Sequence, residues 1–207
     1  MNTSAVIDPQ ALRQALGSFA TGVTIVTTRD AAGLDVGLTA NSFNSVSLNP
    51  PMILWSLAKS SRSLLAFVEA REFAVHILAA DQRALSNRFA QRGIDKFATL
   101  TVSRSGHGTP LLEGCSARFI CRTAFRYEGG DHDIFVGEVT TFEHFDRPPL
   151  LFHGGRYADV RRETEAPNPD LIVAAQVVQQ AARDVLDAAQ QKTLQQLLER
   201  LLTAKEH

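Results

Sequence analysis

The chain has 207 residues, 44% of them hydrophobic and 21% charged, a balance that excludes a disordered chain and suits one globular domain plus an appendage. Its 21 Lys and Arg against 22 Asp and Glu leave a formal charge of −1, which gives nucleic acid no bulk attraction. Two cysteines, Cys115 and Cys121, are too few for a disulfide framework, and the first residues lack the basic-then-apolar order of a signal peptide, so a cytoplasmic location is expected.

Asp8-Pro9 opens a short helix with Leu12, Leu16 and Phe19 on one side. Val23–Thr28 is a β-branched strand, and Asp30–Gly33 is its turn. Val36–Ala58 contains no charged residue, but its Pro50-Pro51 pair and its Asn and Ser residues would be costly in a bilayer, so no membrane span is expected. Within it, the stretch from Gly37 to Ser45 packs hydroxyls and amides that suit either a solvated strand and loop or the edge of a polar heterocycle.

Met52–Leu57 is a compact apolar strand, followed by Ala58-Lys59-Ser60-Ser61-Arg62-Ser63-Leu64 and a helix over Ser61–Ala70. The serines fit two readings, simple N-capping or an anion site strengthened by Lys59 and Arg62, with phosphate as the natural anion. Phe73–Leu78 reads as a strand and Asp81–Gln91 as a helix. Cys115, Ala117, Phe119 and Cys121 alternate with Ser116, Arg118 and Ile120, placing two core thiols on one face of a long strand that continues to Tyr127. The hairpin tip that follows holds His132 between Asp131 and Asp133, Ile134–Phe142 returns, and the stretch from Phe152 to Tyr157 closes the core. Hairpin-joined strands with inserted helices favour a closed or partly closed antiparallel barrel over a doubly wound sheet.

All 12 Phe, the single Trp and both Tyr lie at or before Tyr157, and all 13 Gly at or before Gly155. The expected division is a body over 8–160, a linker over 161–169 and a helical extension over 170–207. Asn168-Pro169-Asp170 supplies a cap candidate, and no Gly or Pro follows. An imperfect apolar stripe from Leu171 to Leu201 predicts a helix that buries a face, as a packing helix or a dimer brace. There is no G-x-G-x-x-G, P-loop, H-E-x-x-H, C-x-x-C or G-x-S-x-G, and the six His lack metal-ligand spacing, so no metal is expected.

Taken together, several segments resemble the flavin reductase family built on the FMN-binding split barrel, reductase components of two-component aromatic monooxygenases. The likeness runs from about Leu12 to Tyr157. It is carried in order by Phe19–Val23, Gly37–Ser47, Pro50-Pro51 with Leu54–Leu57, Ser60–Ser63, Leu85–Ala90, Asp95-Lys96-Phe97, Gly130-Asp131-His132, Gly137-Glu138-Val139 and His153–Tyr157. The resemblance implies an antiparallel split β-barrel that transfers a hydride from NADH, or NADPH, to FMN, or FAD. Thr39, Ala40, Asn41 and Ser42 would meet the isoalloxazine edge, with Ser45 nearby. Ser56, Leu57, Ser60, Ser61 and Ser63 would surround the ribityl chain and phosphate, with Asn87, Arg88 and Phe89 completing the site. His132 resembles the family histidine beside the nicotinamide, and Tyr157 lies in the same neighbourhood. A homodimer and a monooxygenase partner taking up the reduced flavin are implied too. A flavin-binding module without turnover and an interaction subunit using the tail helix are the alternatives. Asn44 and His76 depart from the Ser or Thr and the Asn expected of relatives, which loosens the implied contacts.

Overall fold

The β-branched and alternating runs form antiparallel strands in the computed structural model, which describes residues 7–160, 169–183 and 185–203. Asp8 caps helix α1 (Pro9–Gly17), its carboxylate accepting from the Gln10 amide at 2.9 Å, with Pro9 in the first turn. Five strands follow: β1 (Thr21–Gly22), β2 (Thr24–Arg29), β3 (Asp35–Ala40), β4 (Asn44–Leu48) and β5 (Pro51–Ala58). Helix α2 (Leu64–Glu69), strand β6 (Glu72–Ile77) and helix α3 (Arg83–Ala90) come next. A small ladder of β7 (Ser103–Arg104) and β8 (Pro110–Leu111) precedes the long hairpin of β9 (Ala117–Gly129) and β10 (His132–His144). Strands β11 (Leu151–His153) and β12 (Arg156–Ala158) finish the body and join β1 in a three-stranded sheet.

The main sheet has seven strands in the order β3-β2-β6-β9-β10-β5-β4, every neighbouring pair antiparallel. Its two edge strands are consecutive in the chain, joined only by Asn41–Phe43. The four Cα steps of that link reach ~15 Å at most, whereas six strand spacings in a flat sheet add to ~29 Å. The sheet must therefore curl until its edges nearly meet, leaving a barrel with one open seam. This is the antiparallel split barrel that the sequence led us to expect.

Large rings fill the inside. Trp55, Phe67, Phe73 and Phe135 pack with Val26, Val75 and Cys121, and a second cluster gathers Val23, Ile25, Leu78, Phe89, Leu112 and Leu150. The closeness of this packing shows at two glycines. A Cβ at Gly137 would come within 2.5 Å of the Phe73 ring, and one at Gly37 within 2.6 Å of Phe89. Both cysteines are buried and unpaired. Cys121 lies within β9, and burial pushes its thiol up to about 12, so it is an inert packing group. Cys115 precedes the strand instead of sharing its face, with its sulfur 3.8 Å from the Leu112 carbonyl.

The chain divides into two units, Met1–Val160 and Arg161–His207. Most of the expected linker, including Asn168, lies outside the described residues. The tail is two helices, α4 (Pro169–Ala182) and α5 (Ala188–Thr203), in place of one. A capping box stops the run without Gly or Pro: the Gln190 amide donates to Asp187 Oδ1 at 2.9 Å, and the Asp187 amide donates to Gln190 Oε1 at 3.0 Å. Gln191 adds bonds from its side-chain nitrogen to the carbonyls of Arg183 and Leu186.

His76 is fully buried in the body. Its Nδ1 donates to the Ile25 carbonyl at 3.0 Å, and its Nε2 accepts from the Leu112 amide at 3.1 Å. Both ring nitrogens are therefore satisfied only in the neutral form, and burial lowers the imidazole to about 4 from its ordinary 6.5. The unfolded chain binds a proton at this site below pH 6.5 and the folded chain does not until about pH 4. Stability from this residue is thus complete above pH 6.5 and is lost as pH falls toward 4, by about 3 kcal/mol. Urea unfolding of wild type and His76→Asn at pH 7 and pH 4.5 checks this. The wild type should lose more stability than the variant, and equal losses would refute it.

Candidate functional site

A cavity of about 460 Å³ opens at the seam, within the ~300–1,000 Å³ typical of ligand sites. Three segments build its walls. The end of β3 and the link after it contribute Thr39, Ala40, Asn41 and Ser42; the end of β5 and the following turn contribute Ser56, Leu57, Ser60, Ser61 and Ser63; and Phe89 and His132 complete the rest of the expected set.

Two hydroxyls fix the first wall. Ser42 Oγ accepts from the Ser56 amide at 2.9 Å and donates to the Ser56 carbonyl at 3.0 Å, so one side chain continues the β4–β5 pairing two residues past Asn44–Leu54. Thr39 Oγ1 donates to the Ser86 carbonyl at 2.6 Å and draws α3 onto β3. Glycine at position 37 leaves room for the Phe89 ring in that contact. With these hydroxyl protons committed to the protein, the wall offers a ligand mainly backbone groups, lone pairs and the exposed Asn41 side chain.

The second wall differs from the expected helix. Helix α2 begins at Leu64 and has six residues, and Ser60–Ser63 form a turn ahead of it. Ser63 occupies the N-cap position without a side-chain capping bond, so capping does not consume its hydroxyl. Of the two readings open for these serines, the geometry leaves room for the anion site. Arg62, Arg92 and Lys96 line the cavity, and no Asp or Glu is among the described residues that line it. Such a one-signed wall attracts anions. The Lys96 ammonium donates to the carbonyls of Gly37 at 3.0 Å and Phe89 at 2.8 Å, and partial burial pulls its pKa below the usual lysine value. It both staples α3 to β3 and faces the ligand space.

Four expected residues stand elsewhere. Ser45 lies on β4 beyond the seam, its amide bonded to Asn44 Oδ1 at 2.9 Å. The Arg88 guanidinium bonds to the carbonyls of Asp95 and Ala98 and so braces the loop after α3. The Tyr157 hydroxyl lies 2.7 Å from Asn87 Oδ1 and 2.9 Å from Ser86 Oγ, fastening the last strand to α3 behind the cavity. Asn87 and Tyr157 thus support the site from outside. Gln91, Arg92 and Gly93 just after α3, and Lys96 beyond them, line the cavity without being expected from the sequence. The one signal for them is the Asp95-Lys96-Phe97 run.

His132 begins β10, opposite Ala58 of β5 and Gly129 of β9. Its Nδ1 lies 2.7 Å from Asp131 Oδ1, and the residue is part of the cavity lining. The His132 hydrogen bond holds the Asp131 carboxyl below the usual carboxylate range. No group of His, Cys, Asp and Glu side chains among the described residues is arranged to hold a metal, and no described helix is long and apolar enough to cross a membrane.

Known proteins share this architecture. The flavin reductase like domain matches residues 16–161. Over 154 residues the chain is 47% identical to FMN reductase (NADH) SmoA of Agrobacterium fabrum, an alignment covering 74% of this chain and 87% of that protein. It is 44% identical over 146 residues to the reductase component of the flavin-dependent trigonelline monooxygenase of Acinetobacter baylyi, covering 70% of this chain and 47% of that protein. The chain thus spans most of the first relative and about half the length of the second. Among solved structures, the NADH:FAD oxidoreductase SgcE6 of Streptomyces globisporus, in complex with NAD and FAD fragments, superposes with a TM-score of 0.72 at 36% identity, covering 78% of this chain and all of that one. A domain match across the whole barrel and extensive identity to SmoA agree with the seam geometry, and the protein belongs to the flavin reductase like family.

Proposed function

We propose that this protein is an NADH-dependent flavin reductase that passes reduced flavin to a monooxygenase. The observation that carries the reading is the seam cavity itself. A strip of backbone, amide and hydroxyl groups faces a turn rich in serine, and the described lining residues include three cations and one histidine but no Asp or Glu. A flavin phosphate matches this donor set: a heterocycle with a polar edge fits the strip, and a phosphate fits Ser60–Ser63 with Arg62. The bound cofactors supply the redox chemistry, with a hydride passing from nicotinamide to flavin. The chain orients both partners and stabilises charge. Lys96 and the backbone donors near Ala40–Ser42 offset negative charge on the reduced ring, and His132 meets the nicotinamide. No side chain has to act as a nucleophile.

The deciding experiment follows oxidation of NADH and of NADPH by purified protein with FMN, FAD or no flavin added. Turnover that requires added flavin, is faster with NADH and favours FMN is expected. Bound flavin without nicotinamide oxidation would instead make the protein a flavin-binding module.

His132→Ala should raise the KM for NADH about fivefold to tenfold, the loss of one useful hydrogen bond, while the flavin Kd stays within about twofold. Equal losses in both would remove His132 from the nicotinamide site.

The protein acts as a homodimer in this reading. Phe142 is 68% exposed and stacks on Phe119, Phe125 and Tyr127 form a second exposed ring pair, and α1 buries none of its apolar residues, with Leu16 67% exposed. Apolar surface of this extent suits an interface between copies. Sedimentation equilibrium should return twice the 22.6 kDa chain mass, and a monomer at micromolar concentration would count against it.

A further inference from the structure

We infer that Asp131 is the positioning residue for His132, its carboxylate fixing Nδ1 as the protonated nitrogen so that Nε2 meets the nicotinamide as a hydrogen-bond acceptor. The inference rests on the reading of His132 given above and adds how that ring is held. Nδ1 and Oδ1 are 2.7 Å apart, within the range of charge-assisted bonds. The two residues are adjacent, and both backbones are pinned. The Asp131 carbonyl accepts from the Lys59 amide at 2.9 Å, while His132 sits in register between Ala58 and Gly129. The carboxylate is thus presented to the ring by two strands and a turn.

Neighbouring acids are occupied elsewhere. Glu128 lies 3.5 Å from the Lys59 ammonium, and Asp133 is buried with its carboxylate 3.9 Å from Arg126 Nε. Asp131 is left as the carboxylate for the imidazole. Low proton affinity, caused first by the His132 hydrogen bond, keeps it an acceptor across the working range. With Nδ1–H committed to Asp131, Nε2 makes no hydrogen bond among the described residues, and His132 is one of the residues that line the cavity. A nicotinamide carboxamide carries the N–H that such a lone pair accepts. Without Asp131 a neutral imidazole in water favours the opposite tautomer, which would present a donor in that place.

Two measurements test this on the full-length protein. First, imidazole nitrogen NMR without ligands, at a pH where histidines are neutral, reads the His132 tautomer. The wild type should carry its proton on Nδ1, and Asp131→Ala should move it to Nε2, while Asp131→Asn, which keeps an acceptor oxygen, should hold it on Nδ1. Second, a double-mutant cycle reads the KM for NADH. Asp131→Ala should raise it about threefold to tenfold, leave the flavin Kd within about twofold, and add nothing once His132 is Ala. An unchanged tautomer, or an equal KM effect in both backgrounds, overturns the positioning role. If His132→Ala leaves the KM unchanged, the place of His132 beside the nicotinamide falls, and this inference with it. A KM effect of His132→Ala without one of Asp131→Ala overturns the positioning role alone.

Discussion

The structure depends on one crossing. Three residues, Asn41–Phe43, carry the chain from one edge of a seven-stranded sheet to the other, so strand order and a short link together force the sheet to close. Closure is incomplete because β3 and β4 do not pair with each other. Within the link, Ser42 bonds the Ser56 backbone of β5 twice and so carries the β4–β5 pairing past Asn44–Leu54. The link between these edges places backbone and amide groups of Ala40, Asn41 and Ser42 along the cavity. A polar heterocycle can use such groups, and the candidate site is thus a by-product of how the barrel closes.

The other walls follow from holding α3 against that seam. Thr39, Lys96 and the absent side chain at Gly37 all serve one contact, bringing Phe89 onto β3. The Lys96 ammonium bonds carbonyls on both sides of that contact, so its charge is fixed where the cavity lies. Positive charge on a flexible surface lysine would be screened by solvent, while a half-buried ammonium tied to two carbonyls acts at a defined place.

Much of this was legible in the sequence because it is local. β-branched and alternating runs gave β2, β5, β6, β9 and β10 to within a few residues, and Asp8-Pro9 marked α1. The hydroxyl-rich stretches that line the cavity were visible as composition. Contacts made across long sequence separations were not visible. Tyr157 ties to Asn87 some 70 residues away, and even the nearer bonds of Arg88 to carbonyls in the loop after α3 had no signal in the sequence, so neither residue is among the described residues lining the cavity. Lys96 is the converse, since its role exists only once α3 and β3 meet. The split of the tail helix had a local signal, Asp187-Ala188-Ala189-Gln190, which is a capping pattern hidden in an otherwise continuous helical run. The His76 ring is turned into the core, where two backbone groups distant in sequence satisfy it.

Core and site are linked through the register of β5 and β10. Trp55 pairs with Phe135 across these strands, both fully buried, their rings stacked 4.9 Å apart at 15°. In the same register Ser56 pairs with Ile134 and Ala58 with His132. Side chains alternate between faces, so a slip of one residue would turn Trp55 outward and bury Ser56. An aromatic pair is worth about 0.5–1.5 kcal/mol beyond its burial, and burial of two large rings adds more, so the slipped pairing is strongly disfavoured. The rings that hold the barrel together therefore also set where Ser56 faces Ser42 and where His132 stands beside Ala58. Changes to the aromatic core would reach the site through strand register, without any contact between those rings and a ligand.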